Sequence, residues 1–143
     1  MSSSAEEPGK MVPTQGQTDV IDVLGMDWQA LGPDARCKVL YRDEATGLSV
    51  VLFNFSPGAV TPLHVHTGLE CTYVIEGSLE DHDSVITAGN CAVRKAGSVH
   101  QARAPHGSTH LVTFTKPVRN IDGTVASFSA ESRSTTNTDA HEL

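Results

Sequence analysis

Four side chains in this 143-residue chain are spaced to act together on one cation: His64, His66, Glu70 and His100. Residues two apart on a strand leave the same face, so His64 and His66 can meet one ion together. A short turn through Thr67, Gly68 and Leu69 can bring the Glu70 carboxylate beside them. A hairpin running on through Gly89 and Gly97 can then deliver His100 as a third imidazole. Three neutral nitrogens and one carboxylate oxygen suit a single divalent ion: iron(II), manganese(II), nickel(II) or zinc(II). Such a set leaves coordination positions open, which favours catalysis on a small-molecule substrate, or on dioxygen, over a purely structural ion.

Other candidates have blander readings. A lone histidine is usually a satisfied core or surface residue, and His82, His106 and His141 stay under that rule. His110 opens the apolar segment His110-Leu-Val-Thr-Phe and could point inward, toward substrate or as support for a ligand. Phe53, Phe55, Tyr73 and Phe114 are read as strand packing, and Trp28 as cover for a barrel edge or mouth. The run Glu80-Asp81-His82-Asp83 reads as a polar hairpin rather than an ion site.

The elements that must position these groups are strands. Apolar runs recur at Val20 to Leu24, Arg36 to Arg42, Leu48 to Phe55, Cys71 to Glu76, Asn90 to Arg94, His110 to Thr115 and Val125 to Phe128. They are broken every 8 to 12 residues or so, the spacing of an all-β sandwich or barrel. The breaks carry turn signals: Thr46-Gly47, Pro57-Gly58, Glu76-Gly77, Ala88-Gly89, Ala96-Gly97 and Asp122-Gly123. No window sustains an apolar stripe at helical spacing, so any helix should be short and peripheral. Leu48 to Phe55 is apolar at nearly every position, as in a strand covered on both faces, and could belong to a barrel that also packs against another subunit.

Composition limits the partners. The formal charge is -7, from 10 Lys+Arg against 17 Asp+Glu, and no segment concentrates basic residues, so nucleic acid is not expected. The first residues, MSSSAEEPGK, lack the basic start and apolar run of a secretory signal, and no apolar stretch reaches the ~18 residues of a membrane span. A soluble, cytoplasmic protein without a membrane partner is expected. Cys37, Cys71 and Cys91 show no CxxC spacing, so idle thiols are expected rather than a disulfide framework or thiolate zinc site. Residues 1–18 and 131–143 read as flexible tails around one barrel domain at 19–130.

The segment Gly58 to Gly77 reproduces the pattern G(x)5HxH(x)3E(x)6G at every fixed position. Gly89, Gly97 and His100 match the second pattern, G(x)5PxG(x)2H(x)3N, with Lys95 in place of proline and Ala104 in place of asparagine. The chain thereby resembles the cupin superfamily, and the resemblance implies a single-domain double-stranded β-helix, the jelly-roll barrel. Asp27-Trp28-Gln29-Ala30-Leu31, Val112 to Pro117 and Asn120 to Gly123 look like segments of the acetylacetone-cleaving dioxygenases and of a zinc-binding anti-sigma-factor cupin domain. The dioxygenase likeness implies iron(II) on His64, His66 and His100. Glu70 is a ligand in other cupin dioxygenases and stands as the fourth.

The function expected is a non-haem iron dioxygenase cleaving a small diketone or related carbonyl compound. A metal-dependent isomerase or lyase, and a non-enzymatic zinc or small-ligand sensor, are the alternatives. Uncovered strand edges in an all-β domain point to a homodimer.

Overall fold

The structure, a computed structural model, describes residues 15–130. Of the two expected tails, residues 1–14 and 131–143 lie outside the described residues, as does His141. Twelve strands follow in order: β1 (Gln29–Ala30), β2 (Ala35–Asp43), β3 (Leu48–Phe55), β4 (Ala59–Val60), β5 (His64–His66) and β6 (Glu70–Glu80). Then come β7 (Val85–Thr87), β8 (Cys91–Arg94), β9 (Val99–His100), β10 (Arg103–Ala104), β11 (Ser108–Phe114) and β12 (Val118–Asn120). Among the described residues there is no helix, so the short peripheral helices allowed by the sequence do not form.

One curled sheet runs β1-β2-β3-β11-β6-β10-β4, with β7 and β8 also paired to β6. A second, of order β12-β5-β9, carries all three site histidines' neighbours in register: His64 opposite His100, His64 opposite Asn120 and His66 opposite Val118. This is the all-β jelly-roll architecture of the cupins, with the sheets curled around a cavity.

Strand alternation decides what lines that interior. On β3, Ser49, Val51, Phe53 and Phe55 are buried while Leu48, Val50, Leu52 and Asn54 are half-buried. β11 alternates likewise, with Ser108, His110, Val112 and Phe114 buried. Burying a side chain such as Phe53 stabilises the fold by about 2–3 kcal/mol, and its ring meets those of Phe55, Phe114 and Phe128 edge-on.

Two expected strands do not form. Val20 to Leu24 has no strand partner, and Val20 and Leu24 are 93% and 95% exposed. Val125 to Phe128 has a single bridge, Val125 to Arg119, before the chain turns, and Phe128 folds inward onto Phe114. Gly77 also departs from the turn reading. It lies inside β6 at φ 74°, next to a register shift against β11, and any Cβ there would collide with the Gly107 carbonyl. Only glycine accepts both conditions.

Trp28 sits under two cations of β2, with Arg36 Cζ 4.4 Å and Lys38 Nζ 4.6 Å from its ring centre. Cys37 is buried and burial raises its thiol pKa. The other two thiols are less idle than expected. Cys71 on β6 and Cys91 on β8 face outward from neighbouring strands with their Sγ atoms 3.2 Å apart.

Candidate metal centre

His64 and His66 leave the same face of β5, and β9 brings His100 across from His64. One ring nitrogen from each of the three lies within 4.8 Å of the others, and the ring centres are 4.5–4.9 Å apart. His66 and His100 are buried and His64 half-buried. Such a cluster could hold a metal ion. The turn at Thr67 to Leu69 that hands the chain to Glu70 is stapled to β12's approach: Thr67 Oγ1 donates to the Pro117 carbonyl at 2.6 Å, and Thr115 donates to the Leu69 carbonyl. Gly68 is needed there, since a Cβ would strike the Lys116 side chain.

Hydrogen bonding sets the tautomers. His64 Nδ1 lies 2.7 Å from the Pro62 carbonyl, and His100 Nδ1 lies 2.9 Å from Asp81 Oδ2. A ring nitrogen facing an acceptor carries the proton, so the Nε2 lone pairs of both rings are free for the centre. His100 Nε2 lies 2.8 Å from His66 Nε2, and Glu70 Oε2 lies 2.6 Å from the same atom. Yet Glu70 Oε2 is buried without a hydrogen-bond partner. Lone pairs and a carboxylate oxygen crowding one small space is an arrangement a cation would relieve, so the residues present fit a metal. Glu70 stands beside the three-nitrogen group rather than within it, anchored through Oε1 by Thr72 Oγ1 at 2.5 Å.

The protonation states agree with ligation. Burial lowers the His64 pKa, the bond to Pro62 opposing it. Burial, then the charge of Arg94, pushes His100 down to about 4, so both rings are neutral near pH 7. Burial alone would raise Glu70, but contact with His66, the Thr72 hydroxyl and Arg94 outweigh it and hold the carboxyl below its usual range.

Two participants have no sequence motif to announce them. Asp81 is buried in the β6–β7 turn, where Oδ1 accepts from Ser84 and Asp83 while Oδ2 accepts from His100 and from Arg94 Nη1 at 2.8 Å. Burial would raise its pKa, but Ser84, His100 and Asp83 more than offset that and keep it ionised. The segment is the polar hairpin expected of it, and one of its acids also orients His100. Asp81, His82 and Asp83 are a second group of close donors, but His82 and Asp83 are exposed and Asp81 is already engaged. Arg94 points inward from β8 opposite Glu70; the signal available was its shared parity with Ala92 on a strand lining the interior.

The three histidines, Glu70 and Arg94 form one wall of a cavity of about 510 Å³. The rest is mainly apolar, with Phe53, Phe55, Val112 and Phe114 contributing, whereas Tyr73 faces outward. His110 lines it too, stacked 5.3 Å from Phe53 and bonded through Nδ1 to Ser108 Oγ. Burial lowers its pKa to about 4, leaving it neutral. His82 and His106 are exposed.

No curated protein matches the chain. Among solved structures, a provisionally assigned acetylacetone dioxygenase from Methylibium petroleiphilum PM1 is 18% identical, with a TM-score of 0.71 over 81% of this chain and 90% of that one. An acetylacetone dioxygenase from Acinetobacter johnsonii is 18% identical, with a TM-score of 0.63 over 85% of this chain and 89% of that one. The complex of Rhodobacter sphaeroides SigE with the anti-sigma ChrR matches at 23% identity and a TM-score of 0.57, over 64% of this chain and 51% of that one. At these identities the likeness concerns the fold. A family match covers residues 16–119, most of the chain and both histidine segments, and by it the protein belongs to the ChrR cupin-like domain family.

Proposed function

We propose that His64, His66 and His100, with Glu70, hold one divalent ion, iron(II) first among the candidates, and that the protein is a dioxygenase cleaving a small diketone or related carbonyl compound. The observation that carries this reading is the convergence of three imidazoles on the wall of a largely apolar cavity. When bound, iron(II) supplies the electrons that let dioxygen react with a closed-shell organic molecule. The chain's own part is positional. Pro62 and Asp81 hold two imidazoles with their lone pairs inward, and the apolar wall excludes water and fits a compact organic substrate.

The test is elemental analysis of anaerobically purified protein, followed by oxygen-uptake measurements with β-diketones and hydroxyacetophenones. Iron with substrate-dependent uptake is expected, and His64→Ala should lose both. Substrate consumed equally fast without oxygen would shift the reading to an isomerase or lyase using the ion as a Lewis acid.

A second reading has its own support in the family match and in the ChrR complex: a zinc-holding sensor module that acts on a protein partner. Zinc at one equivalent with no turnover would favour it. For assembly, we propose a homodimer through the outer faces of β6 and β8, where Tyr73, Ile75 and Val93 are exposed side by side. Light scattering should give twice the 15.2 kDa chain mass.

A further inference from the structure

The two outward thiols of the main sheet are placed as a pair. β6 and β8 run antiparallel with Tyr73 opposite Cys91 and Cys71 opposite Val93, so the two cysteines are diagonal neighbours on one face. Their Sγ atoms are 3.2 Å apart; Cys91 is exposed and Cys71 half-buried. A disulfide places its sulfurs about 2.05 Å apart, so these two need to approach by only about 1 Å. Cys37 is buried elsewhere in the core and takes no part.

The two sulfurs are not equivalent. Cys91 is the one that solvent reaches, and Cys71 shares a hydrogen bond with it. That bond, ahead of burial, raises the Cys71 pKa, so Cys71 keeps its proton and donates it to Cys91. An exposed sulfur with a protonated thiol in contact behind it is the arrangement of an attacking thiol and its resolving partner.

We propose that Cys71 and Cys91 are a redox modification site, a dithiol that a small disulfide such as oxidised glutathione closes reversibly, bracing β6 against β8. Cys91 loses its proton to solvent and attacks one sulfur of the small disulfide, which breaks that S–S bond and releases one thiolate. Cys71 then gives up its proton and attacks Cys91 Sγ, forming the internal bond and releasing the second thiolate. The two thiolates take up the two protons, so two protein thiols are oxidised while one small disulfide is reduced to two thiols. The new bond encloses residues 72–90, with β7 and the turn whose Asp81 holds His100, and restrains that segment.

The full chain is held in mixtures of reduced and oxidised glutathione, quenched in acid, alkylated and mapped by mass spectrometry. Tyr73 and Val93 flank the thiols in the face proposed above for dimer contact, so exchange passes through the unpaired chain and is followed to equilibrium. A Cys71–Cys91 bond should grow with the oxidised share, spare Cys37 and be undone by dithiothreitol. Cys71→Ser should stop at a glutathione adduct on Cys91, whereas Cys91→Ser should take up about tenfold less. In the closed form amide exchange over residues 72–90 should slow, and the melting temperature should rise by about 5–10 °C. Three free thiols persisting in oxidised glutathione, a wild-type adduct without the internal bond, or a bond between two chains in its place would overturn the proposal. So would a closed form that exchanges and melts like the reduced one.

Discussion

Replacing Asp81 with asparagine should weaken metal binding by reversing a tautomer two bonds away from the centre. Asp81 Oδ2 accepts from His100 Nδ1 at 2.9 Å and Arg94 Nη1 at 2.8 Å, while Oδ1 serves Ser84 and Asp83. An asparagine keeps its oxygen on the Ser84 side, where three donors converge, and so turns its NH2 toward His100 and Arg94. His100 Nδ1 must then accept, its proton moves to Nε2, and the lone pair aimed at the other imidazoles is lost. Charge-assisted hydrogen bonds are each worth about 1.5–3 kcal/mol, and loss of such a supporting contact typically costs 10- to 100-fold in metal affinity. Zinc competition with a chromophoric chelator should show that loss, and imidazole nitrogen NMR of the apo protein should show His100 changing tautomer. Ser84→Ala disturbs only the Oδ1 side and should leave affinity within about threefold. Asp81→Asn protein that is folded, binds zinc like wild type and keeps its His100 tautomer would refute the reasoning.

Acid should destabilise the apo protein through its buried neutral histidines. His110 titrates near 4 in the folded state against about 6.5 in an unfolded chain, so the unfolded state binds more protons between those values. Its contribution is complete above pH 6.5 and is lost as the pH falls toward 4, about 3 kcal/mol in all. His100 is lowered to the same value and His64 is lowered too, so His110→Leu should remove part of the loss seen in urea titrations between pH 7 and 4, less than half of it; an unchanged slope would count against it. Gly77→Ala forces a side chain into the Gly107 carbonyl at positive φ and should cost about 2–4 kcal/mol, read as a lowered melting temperature. A diamide-treated sample should lose two of its three thiols with a 2 Da decrease per disulfide, joining Cys71 to Cys91 and sparing buried Cys37; three thiols surviving would contradict that approach.

Much of this fold could be read from residue order because short-range rules decide it. Leu48 to Phe55 became β3 at the expected bounds, and the histidine pair met on one face because a strand has a period of two. Of the runs that failed, Val20 to Leu24 is apolar enough for a strand but lacks a neighbour with which to pair, and Val125 to Phe128 pairs with β12 by a single bridge before the chain turns. What the sequence hid in the candidate site lies in tertiary contacts. Asp81 reaches His100 across nineteen positions, and Arg94 is oriented by cross-strand pairing with Glu70. No local spacing encodes either.

The three-stranded sheet also dictates an order of events. His64 and His66 sit on a strand of three residues, flanked by β9 on one side and on the other by β12, which is not translated until residue 120. A nascent chain that has exposed His64, His66 and His100 still lacks the strand that pins their backbone. The pocket is therefore complete only once β12 docks, so an ion held there would enter a nearly finished domain instead of templating its early folding.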